Sequence, residues 1–288
     1  EEGTDSTVQH VRSILGNSGV CEAVTLILTT YTSDEAIKKA SQQQSDNIGI
    51  IFLCLQAIAS LSINEEDNRS RFGACGTCEK TIAAMTLHLG SEDIAIRGAT
   101  VVLALAKHHP SNAMKFTATG ALTVMLRIIQ KNSSNMNVVV MGFSAMATVL
   151  NATSGEKDCG SGSQTERATV TFSSNTKDDI DSSVSGGAST RPTMRRDRRA
   201  TAVGIWENAG SYDVILKIMR LHMNNKEISG CGCQLLHSMM YVCASSLMNT
   251  SASGSVGNGR GVNLPPKTIS NIGDTLMTLL ATYNTTSS

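Results

Sequence analysis

Aromatic side chains are scarce in this chain of 288 residues, which has Phe 5, Tyr 4 and Trp 1 against a hydrophobic fraction of 41%. A core must therefore be built from Ala, Leu, Ile, Val and Met, which favours helices over sheets. Proline is scarcer still, with 4 residues, two of which, Pro265 and Pro266, stand side by side in a Gly-rich stretch where they interrupt no helix. Charge of one sign is also missing, since 24 basic residues face 24 acidic ones. That balance argues against a nucleic-acid surface spread over the chain, and no nucleic-acid partner is expected. No run approaches the roughly eighteen consecutive apolar residues of a membrane span, and the polar start EEGTDST holds no signal core, so no span is expected. Because the sequence starts at Glu1 rather than Met, a leader or further sequence upstream is left open.

The 8 cysteines form no dense disulfide scaffold, and Cys21, Cys54, Cys233 and Cys243 lie in stretches that read as apolar helix. A reducing, cytoplasmic or nuclear setting is expected. The triplets Asn151-Ala152-Thr153 and Asn249-Thr250-Ser251 fit glycosylation sites, but a chain rich in Ser and Thr produces such triplets by chance.

What the chain does have is internal similarity. GTCEKTIAAMTLHLGSEDIAIRGATVVLALA begins at Gly76, GALTVMLRIIQKNSSNMNVVVMGFSAMATVL at Gly120, and GSYDVILKIMRLHMNNKEISGCGCQLLHSMM at Gly210. The first two are 44 residues apart, and in each copy a second glycine follows 22 residues on, at Gly98, Gly142 and Gly232. An earlier, degenerate copy begins at Gly19, is broken by SDEAIKKASQQQSDN, and resumes as CLQAIASLS, with Cys54 lying 44 before Gly98. Each unit reads as two helices joined by a polar turn, the second helix carrying a small residue for close approach. Such units cannot bury themselves alone, so they are expected to stack.

The period near 44, the Gly-led helix, the polar turn and the Gly/Ala-led helix ending in Leu-Ala resemble the armadillo repeat family, with HEAT repeats the near alternative. ENAGSYDVILKIMRLHMNNKEISGCGCQLLHSM in particular is similar to divergent armadillo repeats of protist and leucine-rich-repeat-kinase type proteins. The resemblance implies an all-α, right-handed α-α superhelix in one array, with units at about 9–62, 72–108, 116–150 and 203–248 and a partial unit at 267–283. The polar stretches 152–199 and 250–266 are expected to be a disordered insertion and a flexible loop.

In armadillo families the last helix of each unit lines a concave groove, and peptide-binding members use a Trp and an Asn ladder there. Matching that helix to the family pattern ACWALSNLA puts Gln56, Thr100, Ser144 and Gln234 at the Trp position and Ser60, Ala104, Thr148 and Ser238 at the Asn position. None is Trp or Asn, so clamping of a basic import signal by indoles and amides is not expected. The small, mostly polar positions still suit a groove for an extended chain or helix, although Thr and Ser also serve simply to solvate an unused face.

No catalytic constellation stands out. The GSGS at 160–163 has no strand before it and no helix after, so it is no phosphate loop. Cys75 and Cys78 form CxxC and Cys231 with Cys233 forms CxC, a set that would suit zinc or a redox disulfide. The two pairs lie in separate units, however, and the expectation is no metal and no cofactor. An enzyme site assembled from Cys78, His88 or His237 is the remaining catalytic alternative. His108 and His109, beside Lys107 and Pro110, read as cations at the carbonyl end of a helix.

Arg191, Arg195, Arg196, Arg198 and Arg199 crowd into STRPTMRRDRRAT, whose Arg-Arg-Ala-Thr ending resembles a basophilic-kinase substrate with Thr201 as acceptor. An anionic-surface contact, a tether to Asp178, Asp179 and Asp181, and a solvated flank are the competing readings. The expectation is a non-catalytic scaffold or adaptor that holds a protein or peptide segment along the groove. The alternative is a regulatory armadillo domain of a larger kinase or ubiquitin ligase whose catalytic part lies outside this chain.

Overall fold

The computed structural model describes residues 2–33, 44–154, 210–251 and 266–285, and among them it is all-α, with twelve helices and no strand. In chain order these are α1 (Glu2–Asn17), α2 (Val20–Tyr31), α3 (Gln44–Ser62), α4 (Glu66–Ala74), α5 (Thr77–Leu87) and α6 (Glu92–Ala106). They continue with α7 (Pro110–Ala118), α8 (Ala121–Lys131), α9 (Met136–Ser154), α10 (Ser211–Leu221), α11 (Lys226–Ser251) and α12 (Pro266–Thr285). The all-α expectation holds. Thr201 and the five arginines of the basic cluster lie outside the described residues, as does most of 152–199 and 250–266; residues 152–154 and 250–251 extend α9 and α11, and 266 begins α12.

The two-helix reading of each unit needs correction, because a short additional helix precedes two of the leading glycines. α4 and α7 each span 9 residues and end just before Gly76 and Gly120. Phe72 in α4 and Phe116 in α7, each four residues before its glycine, are 0% exposed and anchor helices that are otherwise largely polar. α1, α2 and α3 follow the same order around Gly19. Gly19, Gly76, Gly120 and Gly210 have φ of 86°, 82°, 76° and 71°, so the chain turns from a first helix or its lead-in into a second through the left-handed region that glycine enters without strain.

Each second helix then lies against a third. A Cβ added at Gly98 would come within 2.5 Å of Met85, at Gly142 within 2.6 Å of Ile129, and at Gly232 within 2.7 Å of Met219. The 22-residue glycine spacing is thus a packing spacing: it puts the bare backbone of α6, α9 and α11 onto one side chain of α5, α8 and α10. The third helices start on side-chain caps, with Ser91, Asn135 and Asn225 accepting from Ile94, Val138 and Ile228 N–H at 3.4, 3.3 and 3.1 Å.

Helices of the same kind pack on one another: α1 on α4 and α4 on α7; α2 on α5, α8, α10 and α12 in succession; α3 on α6, α9 and α11 in succession. Hydrogen bonds tie the layers at matching positions. Asn68 donates to the carbonyls of Arg12 and Leu61 at 3.0 and 2.9 Å, and Asn112 to those of Arg69 and Leu105 at 2.9 and 3.1 Å. At the opposite turn Asn132 donates to Leu89 O at 3.0 Å, and His222 Nε2 meets Ser133 O at 2.6 Å. The Thr25 and Thr77 hydroxyls, at successive second helices, lie 2.7 Å apart. These contacts satisfy backbone groups that would otherwise be buried unpaired.

Two further observations bear on the sequence reading. His109 stands at the start of a helix: its Nδ1 accepts from Asn112 N–H at 3.2 Å as the N-cap of α7, while Nε2 meets Ser70 Oγ at 3.1 Å and lies 3.6 Å from Glu66 Oε1. The stretch 136–153 of α9 is long and apolar enough, by length and composition only, to cross a membrane. Of that stretch 56% is buried inside the protein, the situation of a core helix.

Candidate interaction face

The face built by α3, α6, α9 and α11 carries the sequence-matched ladder positions. Gln56, Ser60 and Gln234 are exposed there, and Thr100, Ala104, Ser144 and Thr148 are half-buried. Ser238 is the exception at 1% exposure, so the expectation that it lines the groove is overturned. Its hydroxyl is turned onto its own helix, donating to Gln234 O at 2.9 Å. Thr100 and Thr148 do the same toward Ile96 O and Ser144 O, at 2.8 and 2.9 Å. A bound chain would meet their methyl groups and oxygen lone pairs, since the hydroxyl protons are already engaged.

Sequence reading missed a second row, at and just before the close-approach glycines. Arg97, on α6, lies over the ring of Phe52 on α3, 5.1 Å from its centroid. Ser144 on α9 donates to Cys231 Sγ on α11 at 3.3 Å. Both contacts bridge successive third helices, so this row sets the floor between ladder positions. Its one sequence signal is register: Leu53, Arg97, Met141 and Cys231 all stand one place before Cys54 or a close-approach glycine.

Electrostatically the face is nearly blank. α9 contains no charged residue, and in α6 and α11 the charges gather in the first turn, at Glu92, Asp93, Lys226 and Glu227. Arg97 is the one Lys or Arg in the body of the described third helices. Its guanidinium is half-buried beside an aromatic ring, where a carboxylate would gain more than in open water. On the other side of the molecule a cleft of about 590 Å³ between α8 and α10 is bordered by Gln130, Ser133, Asp213, Val214, Lys217 and Leu221.

The other singled-out residues are not brought together. Cys78 is buried in the first turn of α5, and burial pushes its thiol up to about 12; the half-buried Cys75 and Cys233 are also raised by burial. Thiols held protonated at neutral pH are poor nucleophiles. Among the described residues no group of three or more His, Cys, Asp or Glu gathers as a metal site would need. Cys78 and His88 stand at opposite ends of α5, about 15 Å apart at the helical rise, and His237 is exposed on α11. His88 has its pKa lowered by burial, and its Nε2 has no hydrogen-bond partner.

No family model, no curated protein and no solved structure matches the chain.

Proposed function

We propose that the chain is an armadillo-type right-handed superhelix that serves as a non-catalytic scaffold, holding a protein segment along the face of α3, α6, α9 and α11. The supporting observation is that this face combines exposed Gln56 and Gln234, half-buried small residues and an almost charge-free surface along four successive helices. Charge-free, shallow surfaces of this kind recognise by apolar fit and backbone hydrogen bonding. The partner is therefore a neutral or apolar segment, extended or helical, with at most one acidic residue placed to meet Arg97. Basic import signals are disfavoured, because the described face offers no indole and its carboxylates at Glu92, Asp93 and Glu227 are confined to first turns.

The test is affinity capture from the native cell with the intact chain and with three variants, Gln56→Arg, Ser144→Arg and Gln234→Arg. A partner held on this face is lost by all three and retained by Lys217→Glu on the opposite side. A partner insensitive to the first three and sensitive to Lys217→Glu would place recognition elsewhere.

A further inference from the structure

The first helical group leaves open a face that the later groups close. The contacts between groups define which positions look back toward the preceding group. Thr77, the first residue after its glycine, meets Thr25, the sixth after the preceding glycine. Arg97, one before its close-approach glycine, meets Phe52 of the preceding third helix, and Cys231 at the same position meets Ser144. Asn68, eight before its glycine, reaches back to Arg12. In α1 to α3 no described helix packs in front of the matching positions.

They are nevertheless apolar. Ile27 is 43% exposed, while its counterparts Ala84, Ile128 and Ile218 are 0%, 3% and 4% exposed. Leu15 is 39% exposed where Phe72 and Phe116 are 0%, and Val11 is 48% exposed where Asn68 and Asn112 are 1%. Leu53 is 63% exposed on α3, and Ile50 is half-buried where Ile94, Val138 and Ile228 are buried. A face that met only water would carry polar residues at these places. Three helices about 10 Å across, beside an α3 about 28 Å long, make a face on the order of 800 Å², the area one partner buries in a standard stable interface.

The occupant has to match three apolar rows. The far end of the described stack offers one second-type helix, α12, while its third-type row ends on Gln234, His237 and Tyr241. Among the described residues, the surface with three matching apolar rows is this same face on another copy. None of its five named residues is charged, so pairing about a two-fold axis brings no like charges together among them, and two-fold pairing is the commonest closed symmetry. We propose that α1 to α3 of one copy pack on α1 to α3 of a second, making the chain a two-fold dimer.

Sedimentation and light scattering of the full chain, from micromolar to hundred-micromolar concentration, test this. The expected result is a mass of two chains, reduced to one by Ile27→Asp with Leu53→Asp and unchanged by Met277→Asp, an exposed position on α12. Circular dichroism checks that each variant keeps its helix content; if the double variant unfolds, Leu53→Glu alone is used, at the most exposed of the five. Hydrogen exchange on the unaltered chain gives an independent reading, with protection in α1 to α3 that falls on dilution while α12 is unaffected. A single-chain mass throughout, a dimer that survives the substitutions in α2 and α3, or one that Met277→Asp abolishes would overturn the proposal.

Discussion

The first helical group and the two middle groups use the same positions in different ways. In α4 and α7 the residue four before the glycine is a phenylalanine sealed from water, and the residue eight before it is an asparagine that stitches three chain segments together. In α1 the same two places hold Leu15 and Val11, both exposed and making no such link. The lesson is that a side chain's burial here is set by its place in the stack as much as by its chemistry. An identical register yields a core where a described layer precedes it and exposed side chains where none is described.

That comparison can be broken at several points. The largest effect is expected from Phe116→Ala, about 3–5 kcal/mol of lost stability, set against less than about 1 kcal/mol for Leu15→Ala in the isolated chain. Denaturant unfolding of both variants reads the contrast, and equal losses would remove it. Asn112→Ala comes next, at about 2–3 kcal/mol, because it leaves the carbonyls of Arg69 and Leu105 without their shared donor. A loss under about half a kcal/mol would mean that water takes over those bonds.

Close approach of second and third helices gives a finer test. Gly142→Ala is expected to cost about 1–3 kcal/mol, since the new methyl comes within 2.6 Å of Ile129 Cδ1, and Gly98→Ala about as much, since it comes within 2.5 Å of Met85 Cγ. Thermal melts of both variants read the losses. The smallest effect expected near neutral pH is electrostatic. Burial raises Cys78 from its ordinary 9.0 to about 12 and Cys21 to about 11. Below pH 9 the folded and unfolded chains both keep these protons, and nothing changes. Above it the unfolded chain releases them while the folded chain does not, so stability falls as pH rises toward 11–12, by up to about 1.4 kcal/mol per pH unit for each thiol. Cys78→Ala should flatten the decline in melting temperature between pH 9 and 11, and an unchanged slope would assign that decline to other groups.

Much of this architecture was legible because its markers are glycines with a physical duty. Gly76 with Gly98, and Gly120 with Gly142, could be found by spacing since one bends the chain and the other admits a neighbour. α4 and α7 were hidden for the opposite reason. EDNRSRFGA has one large apolar residue, so no periodicity announces a helix, and Phe72 acts through contacts with other layers. The ladder positions fall on the third helices, yet Ser238 is buried, because matching one helix to a pattern says nothing of its neighbours. Arg97 over Phe52 was out of reach for the same cause, as its partners lie 45 residues apart and meet only through stacking.

The register of that stacking underlies both the proposed binding face and the exposed apolar side chains of the first group, and the Thr25–Thr77 contact tests it most directly. With Thr25→Cys and Thr77→Cys introduced and the neighbouring Cys21, Cys75 and Cys78 changed to alanine, mild oxidation should yield one intramolecular disulfide between α2 and α5, identified by peptide mapping, with a raised melting temperature. Two thiols that stay free, or a bond formed only by unfolded chain, would contradict the stacked register.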